Sequence, residues 1–128
     1  MKDHSISVHE RRALLEATRA LVMGHVAVLP TDTLYAKMDY PLVILEAMSL
    51  GKPVVVGTGT PAEELCEGDA AIATEVTEGA VLDVMARLLD DAAARARHGA
   101  AGRARVLDAY TRAPMAAAYE ALYDELCA

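Results

Sequence analysis

The chain has no tryptophan and no phenylalanine, and its five tyrosines supply the whole 4% aromatic content. With 54% of residues hydrophobic, a core is still within reach, but it must be aliphatic and rich in alanine. Positive charge is also scarce: 12 Lys and Arg stand against 19 Asp and Glu, for a net charge of -7. A nucleic-acid surface needs clustered Lys and Arg to neutralise phosphates, so nucleic acid is excluded as a partner. Cysteine occurs twice, at Cys66 and Cys127, with neither metal-ligand spacing nor a disulfide framework around it. Both read as reduced thiols of a cytoplasmic protein. No apolar run has the length of a membrane span, and the opening MKDHSISVHE is too polar for a secretory signal. The length of 128 residues suits a single domain, 1–128.

What is present is an alternation of strands and helices. Residues 1–8 read as flexible. A helix fits His9–Met23, with Leu14, Leu15, Thr18, Leu21 and Val22 on one side and Glu10, Arg11, Arg12 and Arg19 on the other; Gly24 ends it. VAVLP at 26–30 is a β-branched run suited to a strand buried on both faces. A loop follows, then a helix from Pro41 to Leu50, with proline in the first turn where its missing N–H costs nothing. PVVV at 53–56 is the second strand and Gly57-Thr58-Gly59 a turn. Thr60-Pro61-Ala62-Glu63 reads as a capping box opening a short helix that ends near Gly68. AAIAT at 70–74 is a weak third strand. Glu78–Asp91 is helical, and an Ala/Arg stretch to Tyr110 follows, interrupted by Gly99 and Gly102. Thr111 caps a terminal helix, 111–128, whose Met115, Ala118, Tyr119, Leu122 and Leu126 form a stripe expected to be core. The alternation predicts an α/β fold: a three-layer, Rossmann-like partial domain with about three parallel strands and a helical C-terminal half.

In such sheets ligands bind beyond the C-terminal ends of the strands. Three segments converge there: Thr31–Tyr40, Gly57–Pro61 and the residues after Thr74. The first leads into a helix N-terminus, where free N–H groups at Leu42, Val43 and Ile44 suit a phosphate and Lys37 adds charge. A G-x-G turn alone more often serves loop geometry than a ligand. Glu46 is a lone carboxylate in the apolar run KMDYPLVILEAMSLGKPVVV, one turn beyond Leu42 on the same face. It suits the vicinal hydroxyls of a ribose or an ordinary surface position, and spacing does not choose between them. His4, His9, His25 and His98 share no metal-site spacing and read as surface residues. Arg95, Arg97, Arg103 and Arg105 read as a solvated helix face.

Residues 26–127 resemble the C-terminal part of GT-B-fold family 4 (group 1) glycosyltransferases. YPLVILEAMSLGKPVVV carries most of the likeness, supported by VAVLP, GTGTPAEEL, VLDVMARLLDD and YEALYDEL in the same order. The resemblance implies retaining transfer of a hexose from a UDP- or GDP-sugar. It gives Glu46 the donor ribose, the N–H groups of Leu42 and Val43 the pyrophosphate, and Gly57, Gly59 and Thr60 the glycine loop. The family places a second glutamate, for the donor sugar, eight positions earlier. Here that position is Met38, flanked by Lys37 and Asp39. It implies no metal and no further cofactor, because backbone amides and basic side chains hold the phosphates. The family also uses an Arg/Lys pair earlier in this domain and an N-terminal acceptor domain; Arg11 and Arg12 come too late in order to be that pair. A chain without the clamp is expected to be catalytically poor alone, with the missing N-terminal domain as a partner and possible self-association through the exposed last helix.

Two alternatives stand beside this. GHVAVLPTDTLY, within residues 12–36, is similar to threonylcarbamoyl-adenylate synthases, although Ala36 stands where that family has glycine; a recombined first segment would reconcile both likenesses. The other is a non-catalytic nucleotide-binding or structural α/β module.

Overall fold

A computed structural model describes residues 7–30 and 42–127, apart from the side chains of Thr18 and Leu21. Lys37, Met38 and Asp39, and with them most of the loop after the first strand, lie outside the described residues. Helix α1 (Val8–Met23) starts one residue before the expected point and has an ordered entry. Ser7 caps it: the Ser7 hydroxyl accepts from the Glu10 N–H, and the Glu10 carboxylate accepts from the Ser7 N–H at 2.7 Å. This is a reciprocal capping box, and it sets the start of the helix at Val8.

Three parallel strands follow, β1 (Ala27–Leu29), β2 (Val54–Gly57) and β3 (Ile72–Thr74), in the spatial order β1-β2-β3. Val28 stands opposite Val55, and Val56 opposite Ala73. β2 is central and all four of its residues are buried. β1 is only half-buried, which corrects the expectation of a strand covered on both faces: it pairs only with β2 among the described residues.

Helix α2 (Leu42–Ser49) and a 3-10 helix (Pro61–Asp69) connect the strands. Side chains alternate along a strand, and Val54 and Val56 share one core with Ile44, Ala47 and Met48 of α2, Ala62 and Leu65 of the 3-10 helix, and Val106. Burying each of the larger of these side chains contributes about 1.5–3 kcal/mol. Val55, also fully buried, points to the other face. Helix α3 (Glu78–Asp90) runs back there from Pro30 toward Ile72.

Helices α4 (Ala92–Ala109) and α5 (Arg112–Cys127) complete the chain. The expectation that Gly99 and Gly102 interrupt α4 is overturned: the helix is continuous, and both glycines are buried. They allow close approach. A Cβ on Gly99 would lie 2.0 Å from the Gly51 carbonyl oxygen, and one on Gly102 would lie 2.8 Å from that of Ala70. Of the α4 arginines expected on a solvated face, Arg97 is exposed, while the other three are corrected. Arg95 donates to the carbonyls of Leu88 and Leu89, Arg103 to that of Ser49, and Arg105 to that of Glu64 at 3.0 Å. Arg95 and Arg103 serve the C-terminal ends of α3 and α2, where carbonyls lack intrahelical donors and the dipole favours a cation; Glu64 lies in the first half of the 3-10 helix. His98 also engages the fold, its Nδ1 lying 2.8 Å from the Asp69 carbonyl oxygen.

The terminal stripe is not core. α5 has no buried residue, and Tyr119 and Leu126 are 57% and 73% exposed. The Thr111 hydroxyl turns back to the Leu107 carbonyl at 3.4 Å instead of capping α5.

Candidate functional site at the C-terminal ends of the strands

Parallel strands and antiparallel return helices put the start of α2, the loop after β2 and the start of α3 at one edge of the sheet. α2 is amphipathic in a way that fixes its site residues. Ile44, Ala47 and Met48 are buried, so Leu42, Val43 and Glu46 turn outward. Leu42 is 70% exposed. The first-turn N–H groups have no intrahelical acceptor, and Glu46 stands one turn behind them on the exposed side.

The far end of α2 is closed firmly. Gly51, at φ +71°, receives the chain in the left-handed conformation; its N–H donates to Met48 O at 2.9 Å and that of Lys52 to Ala47 O at 3.1 Å. These two bonds form a Schellman closure. It fixes where α2 stops and β2 begins, and so holds the Glu46 face in register with the strand ends.

The glycine loop is tied down by three hydrogen bonds. Gly59, at φ +72°, donates its N–H to the Glu63 carboxylate at 2.8 Å. The buried Thr60 hydroxyl donates to Gly57 O at 2.8 Å, and Thr58 N–H donates to Thr74 O at 3.0 Å. Thr60 is the N-cap position, as expected, but its side chain does not cap. Its hydroxyl is committed to Gly57, so Glu63 N–H takes the Thr60 carbonyl in a 3-10 turn, and the Glu63 side chain reaches one residue further back than a capping box requires. These three bonds hold the loop in place at the strand ends.

Beyond β3, Thr77 caps α3 by accepting from Ala80 N–H at 3.2 Å. Pro30, Val76, Thr77, Glu78, Val81 and Leu82 line a shallow cleft of ≈ 370 Å³ at this edge. A cleft of ≈ 410 Å³ lies elsewhere, between α3 and the start of α4 around Ala71 and Ile72. That places it at the N-terminal side of β3, away from the strand ends. Among the described residues no group of His, Cys, Asp and Glu is arranged to hold a metal ion, and no helix is long and apolar enough to cross a membrane. Cys66 and Cys127 are free thiols.

The structure brings Leu42, Val43, Glu46, Gly57, Gly59 and Thr60 to one edge; Lys37, Met38 and Asp39 fall outside the described residues, as do Thr31–Tyr35 of the second likeness. The residues that sequence reading missed are structural. Gly99 and Gly102 stand three apart in a helix, a spacing that signals close contact along one face.

An open parallel sheet with its exposed carboxylate helix and tight glycine loop at the strand ends defines a partial Rossmann-like α/β unit. The profile of the glycosyl transferases group 1 family matches residues 2–91, and the chain belongs to that family. No curated protein and no solved structure matches it. The match takes in α1 through α3, so α4, with its helix-capping arginines, and α5 lie beyond it.

Proposed function

We propose that this chain is the donor-binding part of a retaining, GT-B, family 4 glycosyltransferase. The first turn of α2 receives the diphosphate of a UDP- or GDP-sugar through the N–H groups of Leu42 and Val43, and Glu46 accepts hydrogen bonds from the ribose hydroxyls. The observation that carries this is the outward face of α2. Its three neighbouring apolar residues are buried, and the one carboxylate of the helix is left in solvent behind a helix N-terminus. Helix dipole and unpaired N–H groups favour an anion there, and a carboxylate one turn away fits hydroxyls of the same ligand. The glycine loop shapes the floor for the base or ribose, held there by the Gly59 N–H and Thr60 hydroxyl bonds. Membership of the group 1 family supports the reading.

The test is a titration of UDP and of GDP into the purified chain, followed by amide chemical shifts. Shifts concentrated at Leu42–Glu46 are expected, with saturation in the millimolar range or below. Glu46→Ala removes charge-assisted hydrogen bonds worth about 1.5–3 kcal/mol and weakens binding at least tenfold. Shifts that are absent at millimolar nucleotide, or that survive Glu46→Ala unchanged, would sink the proposal.

A further inference from the structure

The edge of the sheet where the strands begin carries a cleft of ≈ 220 Å³, and its ionisable lining residues are all basic: His25, Lys52 and Arg95. Three features of the fold bring them together. His25 and Lys52 each stand two residues before a strand, and the register that sets Ala27 opposite Val54 sets these two side by side. The Ala27 N–H donates to Pro53 O at 3.0 Å, which carries the pairing a step toward them. The Lys52 N–H belongs to the Schellman closure of α2, so its backbone is fixed. Arg95 lies one turn before Gly99 on α4, and Gly99 packs on the Gly51 carbonyl next to Lys52.

Most of the donors here are unused. Among the described residues neither His25 nor Lys52 has a side-chain hydrogen bond or ion pair. Arg95 places one nitrogen, Nη1, on the carbonyls of Leu88 and Leu89. That anchors the guanidinium plane and leaves Nε and Nη2 without an acceptor among the described residues. Asp91, the acidic residue nearest to Arg95 in the chain, caps α4 and lines the ≈ 410 Å³ cleft instead. That larger cleft is the contrast: Arg87 and Arg97 share it with Asp69 and Asp91, so its charges offset. Charge of one sign in a concave site focuses the potential, even on a chain of net charge -7.

We propose that the ≈ 220 Å³ cleft binds a phosphate group, as the free ion or as the end of a small phosphate monoester. The Lys52 ammonium and the two unused Arg95 nitrogens donate to its oxygens, and the His25 ring donates a further contact. A guanidinium already held in place loses little freedom on binding. The volume lies below the roughly 300–1,000 Å³ of sites for drug-sized ligands, which favours a compact anion over a whole nucleotide. Glu46 lies at the opposite edge, so neither site needs the other.

The test is a titration of inorganic phosphate and, separately, of glycerol 3-phosphate into the purified chain at constant ionic strength, followed by amide chemical shifts. Saturable shifts at Gly24–His25, Gly51–Lys52 and Arg95–Ala96 are expected with at least one of the two, and the tighter binder identifies the source. Lys52→Gln should weaken binding at least about fivefold. Arg97→Gln, an equal loss of charge in the other cleft, should leave it unchanged. Lys52 has no side-chain bond to lose, and an unchanged Tm checks that the variant keeps its fold. No saturable shift at tens of millimolar of either anion overturns the proposal, as do shifts confined to Leu42–Glu46. Equal weakening by Lys52→Gln and Arg97→Gln also overturns it, since that marks general attraction to positive charge.

Discussion

Gly99 sits where α4 crosses the turn that ends α2, and the atom it meets is backbone, the Gly51 carbonyl oxygen. A flexible side chain would move aside for an added methyl group; a carbonyl held in a Schellman turn cannot. Gly99→Ala is therefore expected to destabilise by about 3 kcal/mol or more, lowering Tm by roughly 10 °C in thermal unfolding. Gly79 is the control. Nothing lies within 4 Å of a Cβ built there, and it is exposed in the first turns of α3. Gly79→Ala should stabilise by up to about 1 kcal/mol through helix propensity. Cys66 offers a pH test. Partial burial, aided by the Glu63 carboxylate and opposed by Arg105, pushes its thiol above the ordinary value. The folded state thus keeps the proton that the unfolded chain gives up first. Stability is full below the unfolded thiol pKa and falls as pH rises above it, because the unfolded state then binds fewer protons. Denaturant unfolding followed from neutral to alkaline pH should show that loss, and Cys66→Ala should remove it. At mildly alkaline pH an alkylating reagent should take the exposed Cys127 before Cys66.

At the scale of elements, α4 acts as a clasp. Its arginines donate to backbone carbonyls of α2, the 3-10 helix and α3. Arg105 is the most committed. It also pairs with the Glu67 carboxylate at 2.9 Å and lies over the Tyr110 ring, 5.9 Å from its centroid. The Glu67 side chain is 78% exposed, so that ion pair is screened and Glu67→Gln should cost less than about 1 kcal/mol. Arg105→Ala also loses the Glu64 carbonyl bond and the ring contact, and should cost about 1–2 kcal/mol in urea unfolding. Equal losses for the two variants would show that the ion pair, not the clasp, matters. These roles were hidden in the sequence, since an Ala/Arg run reads the same whether its guanidinium groups face water or a carbonyl 41 or 54 positions away. The α2 face was legible: Ile44, Ala47 and Met48 at helical spacing leave Glu46 nowhere to point but outward. The stripes of α1 and α5 were legible only as stripes, because periodicity shows that a face is apolar and not what covers it.

For the molecule as a whole, stability should be uneven. β2 is central, fully buried and hydrogen-bonded on both sides, while α1 and α5 lie outside the core. Native-state hydrogen exchange should therefore be slowest at Val54–Val56, through global unfolding. It should be fastest in α1 and α5. Uniform exchange would contradict this gradient.

By itself the sequence determined the aliphatic core, the β1–α2–β2 run with Glu46 on its outward side, and the parallel order that collects the loops at one edge. These follow from local rules: period-two and period-3.6 hydrophobicity, glycine and proline at the ends of elements, and the fixed hand of parallel crossovers. Only the tertiary structure decided that Gly99 and Gly102 are contact points and that Arg95, Arg103 and Arg105 donate to backbone carbonyls of other helices. It also decided that the Gly59 N–H and the Thr60 hydroxyl are held inside the protein and that the last helix buries no residue. Each of these depends on which distant backbone atom lies within a few ångströms, and that is set by how elements assemble rather than by any residue's own preference.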